Sequence, residues 1–120
     1  MRTGFFIFLL IMACGQKKLP IENFDDNAWK SDKLGCLGLR VGMLDQLDSA
    51  KADISGLSQE EMTLFLGPPD ARELEERNRK IFTYYIAGHK DCISKSAQSY
   101  ACLKVRFNAM GLADEVLVIR

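Results

Sequence analysis

The sequence predicts an α+β fold in two layers, with N-terminal helices packed on one face of a three- to four-stranded antiparallel sheet. Helical signals lie in the first part of the chain, and alternating segments rich in β-branched and aromatic residues follow in the second. Strands that are grouped after helices, instead of alternating with them, are typical of this class. Without a short N-terminal leader about 107 residues remain, which is enough for one domain.

Two helices are predicted before the middle of the chain. The first begins near residues 25–27, which are good helix-capping types, just ahead of Trp29. The second covers residues 39–54, because its apolar residues recur at spacings of three or seven and therefore share one face. Gly56 ends it.

The third predicted helix has the clearest local signals. Ser58 is a suitable cap, and Glu61 three residues later completes a capping box. The helix should end at Gly67, because the two prolines that follow cannot continue it. A helix of about two turns is not stable alone, so its apolar residues must pack on a sheet.

The strands are predicted from alternation and from turn residues. The first predicted strand is rich in charged residues, which is typical of an edge strand. It connects to the second predicted strand through a turn at residues 77–79. A polar loop is expected at 88–99, and the last two strands form a hairpin. The four predicted strands are residues 72–76, 80–87, 101–108 and 115–120.

The N-terminus carries an export signal. An apolar run, FFIFLLIMAC, follows a single positive charge and ends at Cys14. The run is shorter than the roughly 20 residues that span a bilayer, but it has the length of a signal peptide. An aliphatic residue, a tolerant position and a small residue precede the cysteine, as in the bacterial lipobox. An ordinary secretory signal is the alternative, although it does not need a cysteine at the cleavage site.

This signal predicts the organisation of the chain. Residues 1–13 are expected to be a lipoprotein signal peptide, residues 14–24 a lipidated tether that starts at Cys14, and residues 25–120 a single domain. Diacylglyceryl and acyl chains on Cys14 would anchor the protein stably in a membrane. Gly15 follows the cysteine, without an aspartate or an acidic run, which favours a periplasm-facing anchor in the outer membrane if the source has two membranes.

Charge indicates protein partners in preference to nucleic acid. The chain has 16 basic and 16 acidic residues, and removal of Arg2 with the leader leaves 15 basic side chains against 16 acidic ones. There is no basic stripe for nucleic acid. The partners expected are the membrane, through the lipid, and other envelope proteins, with a monomeric domain.

Three cysteines remain once Cys14 is assigned to lipid. In an oxidising compartment one disulfide and one spare thiol are expected. Cys36 with Cys92 is the first choice, Cys102 is the alternative partner of Cys36, and a Cys92–Cys102 bridge is nearly as well supported. A metal site is not favoured, because close cysteine spacing is absent and the single histidine is His89.

No enzyme is predicted, and no cofactor. His89 lies alone in a polar loop, where a surface histidine is the simplest interpretation. A reactive thiol at Cys36 is the remaining catalytic hypothesis, because Lys33 and Arg40 lie close to it in the sequence. Three aromatic residues are candidates for partner binding: Tyr84 and Tyr85, which point to opposite faces of their strand, and Trp29, for which pinning of the N-terminal segment is the favoured alternative.

The chain resembles the SmpA/OmlA (BamE-like) family of small bacterial lipoproteins. Besides the lipobox, the resemblance rests on five short motifs: GLSQEE at 56–61, LGPP at 66–69, YY at 84–85, LKVRFN at 103–108 and GLADEV at 111–116. The region from residue 29 to 54 is longer than in that family and looks more like uncharacterised Bacteroidetes lipoproteins.

The resemblance implies a two-layer fold, no catalysis, and a scaffold role at the inner face of the outer membrane, in outer-membrane biogenesis. The same fold occurs in β-lactamase inhibitor proteins, so binding of proteins by the sheet face is the shared theme. The alternative function is an inhibitor or a small-ligand binding module on this fold.

Overall fold

The computed structural model describes residue 4, residues 21–92 and residues 99–120. It confirms the predicted α+β class: helices precede a four-stranded antiparallel sheet. The helices are α1 (Asp26–Ser31), α2 (Leu44–Ser49), α3 (Lys51–Ile54) and α4 (Gln59–Leu66), with 3₁₀ turns at Lys33–Gly35, Arg40–Met43 and Glu76–Asn78. The strands are β1 (Ala71–Glu75), β2 (Arg79–Ala87), β3 (Ala101–Phe107) and β4 (Ala113–Ile119). Among the described residues, no helix has the length and apolarity needed to cross a bilayer.

The sheet follows the chain order β1-β2-β3-β4, and all neighbouring strands are antiparallel. The predicted edge strand is β1, which pairs with β2 from Ala71 opposite Thr83 to Glu75 opposite Arg79. The tight turn between them places Arg77 and Asn78 at positive φ, a region in which asparagine is common and arginine is not.

The prediction of one continuous helix at residues 39–54 is wrong. The structure divides that segment into a 3₁₀ turn at Arg40–Met43, α2 and α3, with Ala50 between the two α-helices at φ −101° and ψ 9°. The apolar spacing still holds, since Leu47 and Ile54 are fully buried. The break turns the chain and keeps both residues against the same core.

The core lies between the helices and the sheet, and it begins earlier in the chain than Asp25. Ile21 and Phe24 are buried in it, although residues 14–24 were expected to form a tether. The Phe24 ring lies 5.2 Å from that of Phe65 in α4. The packed domain therefore includes Ile21 and Phe24, which precede the helix-capping residues from which its start was predicted.

The helix α4 forms as its sequence predicts. The hydroxyl of Ser58 accepts a hydrogen bond from the Glu61 amide at 3.1 Å, and the helix ends at Gly67, which has φ +77°. Its short length is compensated by packing, because Met62, Phe65 and Leu66 are buried.

A close approach holds the N-terminal segment against the sheet. Gly35 has φ +69°, and a Cβ atom at this position would overlap the backbone of Ile86 in β2. The absence of a side chain therefore allows the Lys33–Gly35 turn to lie directly on the second strand.

Candidate functional site

The sheet presents two faces with different surroundings. On one face, side chains of β2 and β3 join those of the helices in the hydrophobic core. Alternation along the strands places the other residues on the opposite face, which we call the open face. None of its members belongs to the core cluster: Ile81, Thr83, Tyr85, Cys102, Lys104, Arg106, Glu115, Leu117 and Ile119.

The register arranges the open face in rows across three strands. One row runs from Thr83 through Lys104 to Leu117, and the next from Tyr85 through Cys102 to Ile119. Residues that are directly opposite one another in an antiparallel pair have neighbouring side chains. The open face is therefore a continuous surface and not a set of isolated positions.

Exposed apolar side chains lie along the β4 side of this surface. Leu117 is 44 % exposed and Ile119 is 36 % exposed, whereas Thr83 and Cys102 in the middle strands are almost fully buried. Next to the same strands, Tyr100 is 46 % exposed. A half-exposed leucine, isoleucine and tyrosine around a closed centre suit contact with another protein.

The two basic residues of the open face, Arg106 and Lys104, differ in their ion pairs. The guanidinium of Arg106 pairs with Glu115 at 2.7 Å and with Asp114 at 3.4 Å, both on β4. Lys104, beside Leu117, forms no ion pair with any residue that the structure describes. A lysine next to exposed apolar side chains offers a positive contact point to a partner.

An aromatic group borders this surface where β2 ends. The Tyr85 ring lies 4.3 Å from the His89 ring and 6.4 Å from the Tyr100 ring, measured between centroids. A side-chain hydrogen bond with Cys102, together with burial, raises the pKa of Tyr100 to about 12. The Tyr100 hydroxyl therefore stays protonated to a higher pH than that of an ordinary tyrosine.

Of the three aromatic residues predicted to bind a partner, the structure leaves only Tyr85 on an accessible surface. Trp29 and Tyr84 are fully buried, so their assignment as partner contacts is corrected. Trp29 packs between Phe24 and Tyr84, with ring centroids 5.9 Å and 6.1 Å away, and so it pins the N-terminal segment to the domain. The hydroxyl of Tyr84 donates to the Gly67 carbonyl at 2.8 Å.

The structure joins Cys36 to Cys92, the pair that ranked first from the sequence, with 5.2 Å between the Cα atoms. Cys102 is free and buried in β3. Because Cys36 is oxidised, it is not available as the thiol nucleophile of the catalytic hypothesis. Cys14, the predicted lipidation site, lies outside the described residues.

A buried polar network beside the disulfide was not predicted. The guanidinium of Arg40, with its side chain 2 % exposed, pairs with Asp70 at 2.6 Å and donates to the carbonyls of Trp29 and Tyr85 at 2.9 Å. The carboxylate of Asp32 accepts from the amides of Leu37, Leu39 and Arg40 at 2.6–2.9 Å. One sequence signal could have indicated this network. Three glycines at residues 35–42 interrupt regular structure, so the backbone amides there need other acceptors, such as the carboxylate of Asp32.

In the part of the chain that the structure describes, no three histidine, cysteine, aspartate or glutamate side chains are grouped to hold a metal ion. His89 is partly buried instead of surface-exposed, and its Nδ1 accepts a hydrogen bond from the Asp91 amide at 3.1 Å.

Fold and site together define a disulfide-bonded, two-layer α+β domain whose open face carries exposed apolar side chains along β4. Comparison of the chain with protein-family models, with curated proteins and with solved structures gave no match.

Proposed function

We propose that this protein is a non-catalytic, membrane-anchored envelope lipoprotein that binds another envelope protein through the open face of its sheet. The process that the family resemblance implies is outer-membrane biogenesis, with the domain facing the periplasm. The proposal has two separable parts, the protein contact and the lipid anchor, and each part has its own test.

The observation that carries the protein contact is the exposed strip of Leu117 and Ile119 beside Lys104. Exposed apolar side chains are unremarkable one at a time, but these two lie on one strand, next to a lysine without an ion-pair partner among the described residues. Apolar contact supplies affinity, and the lysine favours an acidic group on the partner.

Leu117→Arg tests the contact. In the tethered full-length protein, crosslinked in cell envelopes, this substitution should lower recovery of the specific partner about tenfold, because it places a charge in an apolar contact. The matched control is Leu64→Arg on α4, a residue that is 75 % exposed on the helix layer and should have no effect. Equal recovery with both variants would contradict the proposal.

The anchor is supported by the FFIFLLIMAC run and by the residues before Cys14. Cells grown with a labelled palmitate should incorporate the label into the wild-type protein, and Cys14→Ser should abolish the incorporation. Cys102→Ser provides the control, because it removes a cysteine that is buried in the sheet. Persistence of the label in Cys14→Ser would refute lipidation at this site without affecting the protein contact.

A further inference from the structure

A cavity of about 310 Å³ is lined by residues of the N-terminal segment and of the chain between α4 and β1, and no open-face residue lines it. It forms where the end of α1, the Lys33–Gly35 turn and the Leu66–Asp70 step meet. Its volume is at the lower end of the range of small-molecule sites. The cavity thus has room for a compact ligand of a few carbon atoms.

The lining of the cavity combines apolar and charged residues. Leu34, Leu66 and the two prolines at 68–69 supply the apolar walls. Arg40 and Asp70, which form the buried ion pair, also line it. Small-molecule sites commonly combine apolar walls with a few convergent polar groups.

Arg40 retains hydrogen-bonding capacity at this position. Its Nε donates to the Trp29 carbonyl, and its Nη1 donates to Asp70 and to the Tyr85 carbonyl. The second terminal nitrogen, Nη2, donates to none of the described residues, although a guanidinium carries five N–H groups. An acceptor on a ligand would therefore gain a charge-assisted hydrogen bond from Nη2.

Three cations and three carboxylates lie at or beside the cavity, and they differ in how they are paired. Asp70 neutralises Arg40, and Asp26 pairs with Lys30 at 3.2 Å. Lys33, which is exposed at the rim, has no ion-pair partner among the described residues. The buried carboxylate of Asp32 accepts from three backbone amides and not from Lys33, so the Lys33 ammonium is available to a ligand carboxylate.

We propose that this cavity binds a small organic monocarboxylate, with its apolar stem against Leu34 and Leu66 and its carboxylate directed to Lys33 and to Nη2 of Arg40. This site is independent of the protein contact proposed for the open face. A carboxylate of about eight heavy atoms should bind with a Kd of about 1 mM.

Titration of the ¹⁵N-labelled full-length protein with hexanoate tests the proposal. At about 10 mM hexanoate the site should be about nine-tenths filled, and the amide resonances of Leu34, Gly67 and Asp70 should shift, whereas that of Leu117 should not. Hexanamide and inorganic phosphate serve as the comparison probes. Equal binding of hexanamide would overturn the role of the charge, equal binding of phosphate would overturn the role of the apolar stem, and no shift with hexanoate would overturn the site.

A variant at the rim avoids disruption of the buried ion pair. Lys33→Gln should weaken hexanoate binding about fivefold, because it removes a cation that has no ion-pair partner among the described residues. The control is Lys51→Gln on α3, which lies outside the cavity lining and should leave the Kd unchanged. The proposal is overturned if both variants give the wild-type Kd or if both weaken binding equally.

Discussion

Buried charge in this domain is concentrated at Arg40, and its surroundings explain how the loop-rich N-terminal segment is held in place. The guanidinium lies 4.8 Å from the centroid of the Trp29 ring and forms an ion pair with Asp70, which follows the Gly-Pro-Pro step after α4. Asp70 also accepts from the amides of Leu34 and Tyr85. Two side chains thereby connect the segment before α2, the end of α4 and the strand β2.

Asp70→Asn should be strongly destabilising. The substitution leaves Arg40 buried without a charged partner, so the free energy of unfolding should fall by about 3 kcal/mol or more. Urea unfolding at neutral pH measures this change. Asp48→Asn is the control, because the Asp48–Lys51 pair is about half exposed and should contribute less than about 1 kcal/mol. Equal effects from the two variants would show that the Arg40–Asp70 pair is not structurally important.

Tyr84→Phe should change both stability and its dependence on pH. Burial raises the pKa of Tyr84 above its usual value, so the folded state holds this proton more tightly than the unfolded state does. The corresponding stability is complete below the unfolded pKa of about 10 and is lost as pH rises above it. The variant loses the hydrogen bond to Gly67, which should cost about 1–2 kcal/mol at pH 7.

The comparison to make is urea unfolding of both proteins from pH 7 to pH 12. The stability difference between wild type and Tyr84→Phe should shrink as pH rises above 10, because only the wild type must ionise this buried phenol on unfolding. Parallel curves over that range would contradict the assignment.

At the same scale, single residues were the least predictable part of the site. The pair of Cys36 and Cys92 followed from compartment and from loop adaptability, and it is present in the structure. The Arg40–Asp70 pair did not follow, because nothing in the spacing of two residues 30 positions apart shows that they meet. Trp29 and Tyr84 were assigned to an interface because aromatic residues suit both interfaces and cores, and only packing distinguishes the two.

Elements were predicted best where a local chemical signal marks their ends. Ser58 and Gly67 bound α4, and alternation marked β2 and β3 to within about two residues, the usual uncertainty of element ends. The prediction of one continuous helix at residues 39–54 was wrong. Apolar periodicity does not reveal the turn at Ala50, because the apolar residues on both sides of the turn still face the core.

Ser58→Ala tests the contribution of the cap to the short helix α4. Loss of the hydroxyl that accepts from Glu61 should lower the free energy of unfolding by about 1 kcal/mol. Chemical denaturation of wild type and variant measures this. The control is Ser49→Ala at the exposed end of α2, which should change the free energy of unfolding by less than about 0.5 kcal/mol. If Ser58→Ala has an effect as small as that, packing alone holds α4 in place.

For the molecule as a whole, the class of fold was predictable because helices and strands are segregated along the chain. The N-terminal boundary of the domain was harder to predict, because Ile21 and Phe24 pack in the core although they come from a stretch with a proline and polar residues. The disulfide then closes a loop over 56 positions and joins the N-terminal segment to the segment that follows β2.

The double variant Cys36→Ser with Cys92→Ser should be less stable than the wild type by about 2–4 kcal/mol, because the unfolded chain is no longer cross-linked. Urea unfolding with and without a reductant measures the effect. The reductant should lower wild-type stability to that of the double variant and leave the variant unchanged. Insensitivity of the wild type to complete reduction would contradict a stabilising role for the bond.

Site-specific photocrosslinking tests the binding role of the open face most directly. A photoreactive amino acid is placed at position 104, 117 or 64 of the tethered full-length protein, and the crosslinked products in cell envelopes are identified by mass. We predict the same single envelope protein at positions 104 and 117 and no specific product at position 64. A specific product at position 64 together with none at 104 and 117 would contradict binding through the open face.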